Sequence, residues 1–369
     1  MASPHRIQDA LRSAVAEGVA PALAFAVQRG EQRWRWFAGR EGPEAGAPAC
    51  GPTTRFDLAS LTKPLTTVTW ALRLATQGKL DLHGPVAAVL PELTDPRWRT
   101  CPIWRLLNHS TGLPAWRPYH QGLQGAARHG QPGDFARAAV RRMLARTPLE
   151  ADPGQRETYS DLGFLALEWI CERLDEPLAS AWRTLPGHGP DALHFRPLPL
   201  TDDGRGYAPT EQCPWRGRLL RGEVHDDNTW VLGGLAGHAG LFGSLDATLA
   251  ATRGWLTAVR GEGSLPGIDG ALTRSVLDSR WGHPQGSFAL GWDTPTPGAS
   301  TSGRRFQRPS MGHLGFTGTS IWMDVSRDVC MVLLTNRVSP SRDNDRHRPF
   351  RPRLHDVAWA MLDAHPRTP

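Results

Sequence analysis

Strand-like periodicity lies at both ends of this 369-residue chain and helical periodicity fills its middle, an order that restricts the fold more than any other feature. Residues 5–17 read as a helix with Ile7, Leu11, Val15 and Ala16 on one face. Residues 22–42 then read as two strands around Arg29-Gly30-Glu31, the run 22–27 being apolar enough for a fully buried strand. A Gly/Pro/Ala stretch at 41–52 leads to a short strand at 54–57. Helices are expected from Leu61 to Gln77, ended by Gly78, over 103–107, 134–146 and 161–174, and at about 246–260. Pro64 suits an early helical position, where no amide bond is lost. Two or three strands follow, in SFALGWD, GHLGFTGTSIWMDV and DVCMVLLTNRV, and a helix at about 353–363 closes the chain. This arrangement predicts an α+β fold: one antiparallel sheet built from both ends, flanked by the terminal helices, with a mostly helical region inserted. Residues 1–369 are read as a single unit, with sheet regions at 1–58 and about 240–369 and a helical region at about 59–239. The Pro- and Gly-rich segment 183–230 lacks periodicity and is expected to wall a site.

Several functional classes are disfavoured by composition. The chain is 40% hydrophobic and 21% charged, as in ordinary globular proteins, and its net charge of +6 comes from scattered arginines. No basic arm is present, so nucleic acid is not an expected partner. Five well-separated cysteines without a CxxC pair argue against a disulfide framework or a zinc knuckle. No apolar stretch reaches the roughly 18 residues of a membrane span. The start, MASPHRIQDALRSAVAEG, lacks the basic and apolar regions of an export signal, so the expected location is cytoplasmic.

Lysine usage points to chemistry. Of 42 basic residues only Lys63 and Lys79 are lysines, and Lys63 follows Ser60 by three positions in FDLASLTKPLT. A guanidinium keeps its proton, whereas a desolvated amine can give one up, so a lysine needed as a base cannot be replaced by arginine. With Ser60 opening the helix near Leu61, residues three apart share a face and the hydroxyl meets the amine. The helix start adds free amides and a positive dipole end. A nucleophile beside a base, where negative charge is stabilised, is what acyl transfer requires. Tyr159, one of three tyrosines, offers a phenol that could relay protons; the competing reading of Tyr159-Ser160-Asp161 is a helix cap. On the strand around His313, Gly315 would let a ligand lie against the backbone, and the Phe316 amide could join that of Ser60 as an oxyanion donor.

The motifs SLTK, YSD and HLG, in this order, resemble those of the serine β-lactamase and penicillin-binding-protein superfamily, particularly its class C-like branch. LLNHSTGLP and AGHAGLFGS resemble that family's supporting segments, and the likeness spans roughly residues 5–362. YSDLGF, GEVHDDN and GHLGFTGTS resemble a bacterial subgroup linked to muropeptide breakdown. The resemblance implies a β-lactamase/DD-peptidase-like fold and a serine hydrolase that works without cofactor or metal on small molecules or peptides. It makes Ser60 the nucleophile, Lys63 its general base and Tyr159 the proton shuttle. His313 stands for the family's substrate-facing lysine, and the Ser60 and Phe316 amides form the oxyanion hole.

Two positions depart from the pattern. Asp161 replaces an asparagine, and beside Lys63 its carboxylate would hold the amine charged. It would then have to point elsewhere, bind a substrate ammonium, or leave more of the proton abstraction to Tyr159. His313 replaces a lysine, which weakens any grip on a substrate carboxylate. Trp116, Tyr119 and Trp230 are candidate pocket aromatics. The run His225-Asp226-Asp227-Asn228, with His238 nearby, has ligand-type residues but no defined metal spacing, and is read as pocket wall. The expected reaction is cleavage of an amide or ester, with muropeptides placed before small esters and β-lactams. The alternatives are a catalytically silent binding relative and a metallohydrolase using His225 and Asp226.

Overall fold

Strand β1, Ala22–Arg29, is the centre of the molecule and shows why its sequence is apolar without interruption. It pairs antiparallel with β2, Gln32–Gly39, through the two-residue turn Gly30-Glu31, where Gly30 adopts φ 58°. On its other edge lies a strand from the far end of the chain. The computed structural model describes residues 4–123, 134–298 and 300–365. In chain order after β2, its principal elements are β3 (Phe56–Asp57), α2 (Thr69–Thr76), α3 (Asp134–Ala145) and α4 (Asp161–Leu174), α1 being Pro4–Ala16. They continue with β4 (His194–Phe195), β5 (Leu241–Gly243), α5 (Leu245–Arg260), β6 (Ser310–Leu314), β7 (Ser320–Asp324), β8 (Val329–Thr335) and α6 (His347–Ala364).

The main sheet has the order β2-β1-β8-β7-β6 and is antiparallel throughout, as the strand-like segments at both ends of the sequence predict. Alternation of side chains assigns each face to a different layer. Leu23, Phe25 and Val27 pack with Met331, Leu333, Ile7, Leu11 and Trp359 under the terminal helices α1 and α6. Ala22, Ala24 and Ala26 share the opposite core with Val332, Leu334, Leu249 and Leu256. A small second sheet, β3-β5-β4, leads the chain into the helical region.

Three expectations need correction. SFALGWD forms no strand: Phe288 and Asp293 bridge to each other, and Gly291 at φ 77° turns the chain back between them. The final helix begins at His347, not near 353, because Pro349 falls in the first turn, where its missing N–H costs nothing. The helix after Ser60 is irregular, passing from a 3₁₀ turn at Ala59–Leu61 through a π-helical stretch at Lys63–Val68 before becoming α2. Among the described residues no helix is long and apolar enough to cross a membrane.

Phe25 is wholly buried and stacks at 5.9 Å on Trp36. Phe25→Ala should therefore lower unfolding free energy by about 3–5 kcal/mol in a urea titration; a loss below about 1 kcal/mol would show that the two ends of the chain do not share this core.

Candidate active site

The approach to Ser60 is fixed by three side chains that compete for the same short stretch of backbone. Buried Asp57 accepts the Ala59 N–H at 2.8 Å and the His225 N–H at 2.7 Å. Thr317 donates to the Asp57 carbonyl at 2.7 Å, and Thr319 to the Leu58 carbonyl at 3.1 Å. Held in this way, Ala59 takes φ 48°, a conformation that L-residues adopt at a cost of about 1–3 kcal/mol. The strained turn places Ser60 at the head of the helix, facing the cleft.

One turn on, Lys63 is completely buried and points back at that hydroxyl. Its Nζ donates to Ser60 Oγ at 2.9 Å, to Asp161 Oδ1 at 2.7 Å and to the His238 carbonyl at 3.3 Å. Tyr159 covers the group, its ring centre 4.7 Å from the ammonium, with Ser60 and Lys63 both close enough to act on the phenol. Ser60, Lys63, Tyr159 and Asp161 are thus brought together from sequence separations of about one hundred residues.

Asp161 does not point elsewhere, and the ammonium it binds belongs to the protein. Burial pushes the Lys63 amine toward neutrality, but Asp161 and Tyr159 outweigh it and raise the pKa above its ordinary value. The expectation of a neutral base at rest is therefore corrected: Lys63 is an ammonium. Tyr159 is also raised, by burial, although Lys63 opposes the shift, so the phenol keeps its proton. Ser160 takes the capping role foreseen for this turn, its Oγ accepting the Gly163 N–H at 3.1 Å.

His313, the penultimate residue of β6, lines the cleft, with Nδ1 bonded to the Leu314 carbonyl at 2.9 Å. A carbonyl only accepts, so Nδ1 carries the proton and Nε2 presents a lone pair. Burial, reinforced by Lys63, pushes this imidazole down to about 3. The group is neutral and cannot substitute for a cationic lysine. Gly315 lines the cleft and also serves a packing purpose the sequence does not suggest. A Cβ there would come within 2.0 Å of Thr319 Oγ1 and 2.6 Å of the Leu58 carbonyl, so the glycine lets the turn after β6 press on the nucleophile segment. Among the described residues, neither the Ser60 nor the Phe316 N–H donates to a loop, turn or side-chain acceptor, which leaves both free for an oxyanion.

His225, Asp226, Asp227 and Asn228 diverge. His225 bonds Glu211 at 3.1 Å, Asp227 accepts from Arg216 at 2.8 Å, and Asn228 accepts the His120 N–H at 2.9 Å. His225, Asp226 and Asp227 all line the cleft, and of the four Asp226 gathers with Asp161 and His238, their ligand-type atoms lying within 4.8 Å of one another. His238 Nε2 meets Asp226 Oδ1 at 2.9 Å. Against the opposing effect of burial, each partner stabilises the other's charge, raising the His238 pKa and lowering that of Asp226. Two adjacent ion pairs therefore neutralise this floor, and protein cations already face both inward carboxylates. All this opens on a cleft of about 870 Å³. Trp116 lines it; Tyr119 instead bonds Thr147 at 2.6 Å in the core, and Trp230 packs edge-on against Trp215.

The model of the family described as Beta-lactamase matches residues 7–354. The chain belongs to that family. It is a serine hydrolase of the β-lactamase-related type, with the α+β architecture seen in class C-like members. An Escherichia coli K12 protein described as "Putative D-alanyl-D-alanine carboxypeptidase" is 29% identical over 327 residues, covering 80% of this chain and 72% of that one. A Bacillus subtilis N-acetylmuramyl-L-alanine amidase is 28% identical over 312 residues, covering 77% and 68%. In fold, this β-lactamase-family protein is similar to a hydrolase with promiscuous acyltransferase activity, with TM-score 0.71 and 19% identity, over 96% of this chain and 98% of that one.

Two site-shaping residues escaped the sequence reading of this β-lactamase relative. Asp57 is a lone acid in a short strand, and only the fold shows that it holds two amides. His109 lies in the NHSTGLP loop, accepts the Ser160 N–H on Nδ1 at 3.0 Å, and packs 4.6 Å from the Tyr159 ring, so it positions the phenol.

Removing the Asp161 charge should lower the Lys63 pKa, because the largest influence that raises it is gone. In Asp161→Asn, the rise with pH in the rate of Ser60 labelling by a fluorophosphonate should move to lower pH. An unmoved or alkaline-shifted limb would show that the carboxylate does not set the amine's charge.

Proposed function

We propose that Ser60 forms an acyl-enzyme with an amide or ester carbonyl and that cell-wall-derived muropeptides are the substrates. The observation that carries this reading is the 2.9 Å contact between Ser60 Oγ and Lys63 Nζ at the cleft floor, beside two amides free to take an oxyanion. Because Lys63 and Tyr159 are coupled through contact, their protons are best assigned to the pair, and the form with one proton fewer is the base. That form takes the Ser60 proton as Oγ bonds to the carbonyl carbon. The pair returns the proton to the leaving nitrogen or oxygen as the C–N or C–O bond breaks, with Tyr159 as the contact. Water then attacks the ester, gives a proton to the pair, and Ser60 regains it on release.

The substrate class is supported by the relatives, one described as a muramyl-alanine amidase and one as a putative carboxypeptidase for D-alanyl-D-alanine peptides. His313 argues against β-lactams as favoured substrates: a neutral imidazole presenting a lone pair does not attract their carboxylate, and it suits a substrate N–H or O–H instead.

Purified protein should release product from muropeptides faster than from nitrocefin, and Ser60→Ala should reduce turnover by about 10³-fold or more. Lys63→Arg, which keeps the charge but cannot yield a proton, should be impaired comparably. Full activity in Ser60→Ala would refute the acyl-enzyme, and nitrocefin preferred over every muropeptide would refute the substrate class.

A further inference from the structure

The cleft beside Ser60 is rimmed by aromatic side chains that the protein leaves uncovered. Among the described residues four large apolar side chains are exposed, and three of them, Trp116, Tyr159 and Phe316, line this one cleft. Exposed apolar surface gathered around a concavity marks a place where a ligand binds. Two of the three already have partners. Tyr159 belongs to the catalytic group, and the Phe316 ring carries His225 stacked at 5.6 Å and the Arg337 guanidinium at 4.4 Å.

Trp116 is different. It is 41% exposed, and among the described residues no cation lies over its indole. The ring beside it, His120, is tilted by 44° at 6.0 Å and does not cover it. Its loop is nonetheless firmly held. Ser160 Oγ donates to the Pro114 carbonyl at 2.7 Å and the Asp161 N–H to the Ala115 carbonyl at 2.9 Å, which ties the segment before Trp116 to the turn that carries Tyr159. On the other side Asn228 Nδ2 donates to the Arg117 carbonyl at 2.8 Å. An uncovered aromatic face is therefore fixed relative to the catalytic group before any ligand arrives, so binding to it needs little ordering.

The chemistry around the ring selects its occupant. Asp226, two residues before Asn228, lines the same cleft with its side chain partly exposed. Next to Trp116 in the chain, Arg117 pairs with Glu150 at 2.7 Å at the surface. An aliphatic group would gain from the indole but would leave such polar neighbours without partners. A sugar ring has one face of C–H groups, which lie well on the negative face of an indole, and a rim of hydroxyls that bond to charged groups.

We propose that Trp116 is a stacking platform for a sugar ring, and that Ser60 attacks an amide whose acyl part carries that sugar. The assignment deepens the muropeptide reading and rests on it, because in a muropeptide the acid that joins glycan to peptide is borne by the sugar. Ser60 Oγ bonds to the carbonyl carbon of that acid, the C–N bond to the first amino acid breaks, and its nitrogen leaves with the proton returned by the Lys63–Tyr159 pair. Water then cleaves the ester and frees the sugar acid, so the peptide is the leaving group.

The test compares two amides that differ only in the sugar, N-acetylmuramyl-L-alanyl-D-isoglutamine and N-(D-lactyl)-L-alanyl-D-isoglutamine, with the whole chain. Wild type should favour the glycosylated member by about 10- to 100-fold in kcat/KM; Trp116→Ala should bring that ratio close to one, and Trp116→Phe should keep most of it. Both variants should fold, since the side chain lies at the surface. No preference in wild type, or an equal loss for both members in Trp116→Ala, would overturn the platform. Should neither amide be cleaved, the muropeptide reading fails separately, and thermal unfolding decides the platform. The methyl glycoside of N-acetylmuramic acid should then raise Tm for wild type and not for Trp116→Ala; equal shifts, or none, would overturn it.

Discussion

The Lys63–Asp161 ion pair is the interaction on which the rest of the site depends. Its 2.7 Å contact lies where the ammonium has no access to water. A buried pair gains little net stability, because desolvation offsets most of the attraction, but an unpaired buried ammonium would give up its proton. Asp161 therefore sets the charge of the group that touches the nucleophile. The adjacent His238–Asp226 pair extends the arrangement, since the His238 carbonyl also accepts from Lys63. Proton transfer from Ser60 must be drawn from this balanced network as a whole, which explains why a carboxylate can stand beside a catalytic amine without making the site inert.

Distant parts of the chain converge to aim the hydroxyl. The turn after β6 contributes Thr317 and Thr319, which hold the backbone entering Ser60, and Gly315 permits their approach. His109 and Ser160 fix Tyr159 from the helical region. The antiparallel sheet, with β1 beside β8, makes this convergence possible, because it brings residues of both chain ends to one edge of the inserted helices. Strain at Ala59 is the local consequence, held in place by Asp57.

Much of this was legible in the sequence. The uninterrupted apolar run at 22–27 and the strand-like segments at 312–325 and 328–338 specified strands, and the order of segments specified how they combine. The spacing of Ser60 and Lys63 determined their contact, because helical geometry alone brings such residues together. Electrostatics was the less legible part. That Asp161 would meet Lys63 was one of several open orientations, and only packing chose between them. The role of Asp57 depends on the His225 amide, 168 residues away, and that of Gly315 on the Thr319–Leu58 contact, whose partners lie 261 residues apart; periodicity cannot report either. The π-helical stretch and the doubled-back SFALGWD segment show the same limit at the level of secondary structure.

Only two lysines occur in the chain, so the charge of Lys63 is open to direct observation. Protein labelled with ¹⁵N at lysine Nζ should give two resonances, assignable with Lys79→Arg. The Lys63 resonance should keep its ammonium shift to a pH above the ordinary lysine value of 10.5. An amine shift for Lys63 at neutral pH would contradict the ion pair and the proton balance built on it.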